Sequence, residues 1–175
     1  MDNHGTKYNV LFLGSSNAAR SIMAEAILNR EGSNRFQVYS AGIAAADRLD
    51  PNAAHLLERM NFDTAALHPK QWNEYAGKDA PSFDFIFTLC DAATLLPRSI
   101  WQGNPAIAHW DVADPALAQG NESEIQLAYA EAFRILSAHI GIFVNLPQRS
   151  LDRLGQLVLI DDQKPEMRIA AGGHR

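Results

Sequence analysis

Apolar positions in this chain come either as short unbroken runs or as recurrences every three to four residues, and the two patterns alternate. Tyr8–Leu13 (YNVLFL) is a short apolar run, as expected of a parallel strand buried on both faces. It gives way to the turn cluster Gly14-Ser15-Ser16-Asn17. A helical stretch follows from about Arg20 to Arg30, with Ile22, Met23, Ala26 and Ile27 on one face. Phe36–Ser40 reads as a second strand, closed by Ala41-Gly42. Asp50-Pro51 opens a helix that extends to about Met60, since proline's missing N–H costs nothing in a first turn. Asp84–Leu89 and Ala106–Trp110 supply a third and a fourth strand.

The strongest helical signal lies at Glu122–Asn145, where Ile125, Ala128, Tyr129, Ala132, Phe133, Leu136, Ile140 and Phe143 recur at spacings of three and four. Gly141 falls inside it, and a shortening or bend is expected there. Leu146-Pro147 punctuates the helix, and Ser150–Leu157 has the pattern of one or two further turns. Strands alternating with helices predict an α/β fold, a parallel sheet covered on both faces.

Composition narrows the class. With 175 residues, 47% of them hydrophobic and 20% charged, the chain suits one domain. That domain is expected over residues 8–160, between a disordered polar start at 1–7 and a flexible tail at 161–175. A net charge of −5 argues against a nucleic-acid-binding face. The single cysteine, Cys90, excludes an internal disulfide and any site needing several thiolates. No apolar run long enough for a membrane span and no leader-like start are visible, so a cytoplasmic protein without membrane association is expected.

The chemistry concentrates after the first strand. In open parallel sheets, ligands bind beyond the carboxyl ends of the strands. Gly14-Ser15-Ser16-Asn17-Ala18-Ala19-Arg20-Ser21 occupies such a place, between strand and helix. Successive backbone N–H groups in a tight loop form a concavity for an anion, and a helix N-terminus adds positive potential. The Arg20 guanidinium can grip two oxygens at once, and the hydroxyls of Ser15, Ser16 and Ser21 can add donors. An ordinary turn before an ordinary helix fits the same residues, and composition alone does not separate the two.

The run Val10–Ala26 (VLFLGSSNAARSIMAEA) resembles the signature of arsenate reductases built on the low-molecular-weight protein tyrosine phosphatase fold. That signature is an apolar strand, then Cys-x5-Arg-Ser with asparagine fourth in the loop, then Met-Ala-Glu-Ala. Three further segments are similar, in order: Tyr39–Gly42, Phe87–Asp91, and His109–Pro115. The resemblance spans about Val10 to Pro147. It implies a three-layer architecture with a four-stranded parallel sheet and helices on both faces, of the phosphotyrosine protein phosphatase I type.

Carried over residue by residue, the resemblance makes Arg20 the oxyanion-binding arginine and Ser15–Arg20 the amide cradle. Asn17 becomes the residue that braces the loop, and Ser21 the serine that supports the nucleophile. Asp114 matches the general acid, although Asp-Pro is also a common turn starter. Cys90 matches the second thiol of a thioredoxin-coupled relay, whereas a lone cysteine ending an apolar strand is commonly a buried hydrophobe. Pro97 falls near the place of a third cysteine. The departure is central: Gly14 stands at the position of the nucleophilic cysteine, and glycine can neither attack phosphorus or arsenic nor carry a covalent intermediate. Ser16 stands where glycine is usual.

The expected function is therefore an arsenate-reductase-like protein that binds a small oxyanion without the standard turnover. Arsenate, phosphate, sulfate or a phosphorylated partner would be its ligand. Alternatives are an active reductase or phosphatase using another residue, and a scaffold with a vestigial loop. No cofactor is expected, with thioredoxin or glutathione/glutaredoxin as reductant only if redox activity survives; a monomer is expected. His55, His68, His109 and His139 lack metal-ligand spacing. Trp72 and Trp110 are assigned to packing, or by resemblance to the mouth of the site.

Overall fold

The structure is a computed structural model and describes residues 5–161. Part of the expected N-terminal segment and nearly all of the expected tail lie outside those residues. Four parallel strands, β1 (Tyr8–Gly14), β2 (Phe36–Gly42), β3 (Phe85–Thr88) and β4 (Ala106–His109), form a sheet in the order β2-β1-β3-β4. β1 is central, and its unbroken run feeds two cores: Val10 and Phe12 face one cluster, Leu11 and Leu13 the other. The chain leaves β1 for β2 on one side and later returns to β3 on the other. The reversal therefore falls at the carboxyl end of β1, the place where such sheets bind ligands.

The first face carries α1 (Arg20–Gly32), α2 (Pro51–Arg59), α3 (Glu122–Val144) and α4 (Gln148–Asp161). On the second face, single 3₁₀ turns at Trp72–Tyr75, Asp91–Leu95 and Arg98–Ile100 cover Leu11, Leu13, Ile86 and Phe83. Helices thus lie on both faces, but the second layer is thinner than the first.

α3 runs to Val144 straight through Gly141, where an added Cβ would meet nothing within 4 Å. The expected shortening is absent because its neighbours hold the helix down: Leu136, Ile140 and Phe143 are buried, and Phe143 packs edge-on against Phe85 and Phe87 at 5.2 and 5.0 Å. By length and composition alone α3 also meets the measure of a membrane span, contrary to the expectation from apolar runs. Its buried stripe, Tyr129, Ala132, Leu136, Ile140 and Phe143, lies in the first core, where α3 packs chiefly against α1. α4 exceeds the expected turn or two at both ends, anchored by buried Leu151 and by a Tyr8 hydroxyl that donates to Asp152 Oδ1.

Side-chain caps open α2 and α3. Asp50 Oδ1 accepts from Asn52 N and Ala53 N at the start of α2, and Asn121 Oδ1 accepts from Glu124 N at the start of α3. The second carboxylate oxygen of Asp50 accepts from the Tyr129 hydroxyl at 2.7 Å, tying α3 to the α2 cap. Burial pushes the Tyr129 phenol well above its ordinary value, and the Asp50 carboxylate adds to the shift. Because the folded chain keeps this proton more tightly, its contribution is complete below pH ~10 and is lost as pH rises from there toward the folded value. Tyr129→Phe is expected to cost about 1 kcal/mol at neutral pH. It should also make the alkaline fall in Tm shallower than in the parent, as followed by thermal melts across the alkaline range.

Candidate functional site

The loop after β1 is shaped by its own carbonyl groups. Those of Gly14, Ser15, Ser16 and Ala18 accept from the amides of Ile43, Ala44, Ala46 and Asp50, at 2.8–3.0 Å. With the carbonyls committed to that neighbouring segment, the loop's amides are left on the opposite side. Among the described residues, none of the N–H groups of Ser15–Arg20 donates to a partner. Unlike α2 and α3, α1 also begins without a side-chain cap. These donors lie at the N-terminus of α1, where the helix is positive.

This arrangement needs a glycine at the end of β2. Gly14 and Gly42 are paired at the ends of β1 and β2. A Cβ on Gly42 would stand 2.7 Å from Ser15 O and 2.9 Å from Asn17 N, so the loop can cross β2 only over a glycine. Segment 43–45 is held in turn by Gln71, whose side chain accepts from Ala45 N and donates to Ile43 O.

Asn17 braces the loop from within. It is buried at φ 53°, a left-handed conformation that asparagine tolerates better than most residues. Its amide nitrogen donates to Ser21 Oγ and Ser40 Oγ at 2.8 and 2.9 Å, and its oxygen accepts from Lys70 N at 2.8 Å. Ser40 donates to Glu25 Oε2 at 2.6 Å, and that oxygen lies 3.6 Å from Lys70 Nζ. Sequence reasoning passed over Ser40, Glu25 and Lys70 as site residues. For Ser40 and Glu25 the only signals were the Tyr-Ser-Ala-Gly and Met-Ala-Glu-Ala segments, which mark a family and give no contact, and Lys70 had none.

Arg20 reaches across the mouth of the loop. Its Nη1 donates to the carbonyls of Leu89 and Val112, both at 2.7 Å, and so joins the segments after β3 and β4. Its Nη2 lies 3.4 Å from Ser15 Oγ and 3.4 Å from Asp114 Oδ2. The other Asp114 oxygen accepts from Ala116 N, so the turn-starting role and the site role coexist in one carboxylate. Seven residues of the 14–21 loop and Asp114 line a cavity of about 10 Å³, the scale of one water molecule. Ala18 is buried and does not border it.

The remaining candidates are more distant. Cys90 is half-buried, packed against the second core beside the Leu89 carbonyl that holds Arg20. His109 bonds Thr88 Oγ1, and Trp110 is stacked between Phe87 and His139, which fixes it as packing. Trp72 meets Trp101 edge-on in the second core. Among the described residues no group of three or more His, Cys, Asp or Glu is placed to hold a metal ion.

Comparison with known proteins agrees with this fold. The low molecular weight phosphotyrosine protein phosphatase family model matches residues 9–151. An arsenate reductase of Oceanobacillus iheyensis is 30% identical over 143 residues, covering 79% of this chain and 96% of that protein. One of Bacillus subtilis is 34% identical over 117 residues, covering 66% and 79%. A solved structure of an arsenate reductase in its phosphate-binding state is 20% identical and superposes with a TM-score of 0.64, over 78% of this chain and 96% of that one.

Removing the brace should be costly. Asn17→Ala leaves Lys70 N, Ser21 and Ser40 short of partners and puts alanine at positive φ. A loss of roughly 3 kcal/mol is expected from those terms together, read as a lowered denaturant midpoint at unchanged slope.

Proposed function

Because the chain belongs to the low-molecular-weight phosphotyrosine protein phosphatase family, we propose that its loop 14–21 binds a tetrahedral oxyanion, arsenate or phosphate, and does so without cysteine-based turnover. One observation carries the reading: the loop's carbonyls are committed to residues 43–50, leaving a ring of amides beside the Arg20 guanidinium. Such an array has no use for a cation or an apolar group and suits oxygens bearing negative charge. The relatives are arsenate reductases and a structural neighbour is described in a phosphate-binding state, which supports that choice of ligand.

In this reading the loop amides take the inner oxygens and Arg20 takes an outer one. Asn17 holds the loop open from behind, and Ser21 fills space that a nucleophile would use. An ideal Cβ at position 14 would stand 2.7 Å from Ser21 Oγ, which is turned toward the strand end and bonded to Asn17. Turnover has no evident agent. Ser15 Oγ has the Arg20 guanidinium as its neighbour, and a cation donates protons without accepting them. Reduction of arsenate takes two electrons, and the single Cys90 cannot deliver them by closing an internal disulfide.

Calorimetric titration with arsenate and phosphate tests the proposal. Saturable binding is expected in the parent protein and none in Arg20→Ala, whose helical circular dichroism should persist despite a lower Tm. Absence of binding in the parent would reject the cradle and leave a scaffold with a vestigial loop.

A second test concerns position 14. Gly14→Cys must turn Ser21 away from Asn17, so a folded protein destabilised by about 1 kcal/mol is expected. It should hydrolyse an aryl phosphate slowly where the parent releases nothing above buffer.

A further inference from the structure

Among the described residues the buried polar side chains are Asn17, Ser21, Ser40, Lys70 and Thr88. The first four belong to the loop and its brace, and Thr88 does not. Alternation along β3 sends Phe85 and Phe87 to the first core, and Ile86 and Thr88 to the other face. Thr88 is 2% exposed, and its Oγ1 lies 2.8 Å from Nδ1 of His109, its register partner on β4. A hydroxyl buried on an apolar face carries a cost that a valine there would not.

That hydroxyl borders a cavity. The second layer is made here of two short turns, Asp91–Leu95 and Arg98–Ile100. They leave a space of about 280 Å³ over Leu13, Ile86 and Ile107, beside Trp101. Protein interiors are closely packed, and this space matches the liquid volume of about nine water molecules. It shares no lining residue with the small cavity at the loop.

The polar groups of the cavity stand at its two ends. Arg98 lines it, and Arg98 Nη1 donates to the Pro105 carbonyl, which holds the guanidinium beside the start of β4. Thr88 is level with His109, where β4 ends. Four residues separate Pro105 from His109, roughly 13 Å at the rise of a strand. Thr94 also lines the space, but its hydroxyl donates to the Asp91 carbonyl within its own turn. No acidic side chain among the described residues lines it, so a negative group meets no like charge there. A hydroxyl beside an imidazole nitrogen both donates and accepts, which suits it to a second hydroxyl.

We propose that this cavity is a second ligand site, for a small monocarboxylate with a flat apolar body and a hydroxyl at its far end. The carboxylate meets the Arg98 guanidinium, the body lies on Leu13, Ile86 and Ile107 against Trp101, and the far hydroxyl reaches Thr88. The site is independent of the oxyanion cradle and of any reading of it.

The test is calorimetric titration of the full chain with para-hydroxybenzoate, alone and in excess sodium phosphate. Saturable binding is expected, unchanged by phosphate. The methyl ester of the same acid, equal in shape but uncharged, should bind at least about tenfold more weakly. Arg98→Gln should lower the affinity for the acid to that of the ester. Thr88→Val should weaken para-hydroxybenzoate about fivefold and leave benzoate unchanged. Ile107→Trp fills the cavity without altering either polar group; it should abolish binding, and it serves if the Arg98 variant does not fold. Failure of the parent to bind the acid overturns the inference. Displacement by phosphate also overturns it, by putting the acid on the loop, as does affinity that survives in folded Ile107→Trp.

Discussion

The glycine that ends β2 allows two backbones to touch, and the site follows from that contact. Gly42 lets residues 14–17 lie directly over the end of β2, where the amides of Ile43, Ala44 and Ala46 take their carbonyls. Peptide planes cannot turn one end without turning the other, so the inward display of N–H groups follows directly from the outward bonding of C=O. A side chain at position 42 would collide with backbone, which cannot swing aside as a flexible side chain can. The loop is thus a product of packing at the sheet edge more than of its own sequence.

Much of the fold was legible because its signals are local. β1 announced itself as a short apolar run, and α3 as a stripe at helical spacing. The error at Gly141 has the opposite cause: a propensity cost of about 1 kcal/mol is small against the burial of the neighbouring Leu136, Ile140 and Phe143. The site was legible only in part. Arg20 stood out through residue type and place, Asn17 and Asp114 through the family resemblance, and the structure brings them together. What holds them was hidden, because Ser40, Glu25 and Lys70 meet across 15 to 53 residues of chain. The carbonyls of Leu89 and Val112 have no sequence signature, since every residue has one.

The mouth of the cradle and its floor have different characters. The floor is backbone, fixed by hydrogen bonds that no substitution of a loop side chain removes directly. The mouth is one ion pair between side chains, Arg20 and Asp114, each also bound to main chain. The mouth can therefore be altered while the floor remains.

Arg20 has a second employment with an evolutionary consequence. Its Nη1 holds the carbonyls of Leu89 and Val112 together, so it is a strut between the ends of two segments as well as a positive charge. A lineage that surrendered its nucleophile would lose nothing of that strut, and purifying selection for stability alone would go on retaining arginine. Chemistry once lost could therefore be regained from such a chain more easily than from one that had let the arginine drift, since the scaffold keeps the costliest part in place.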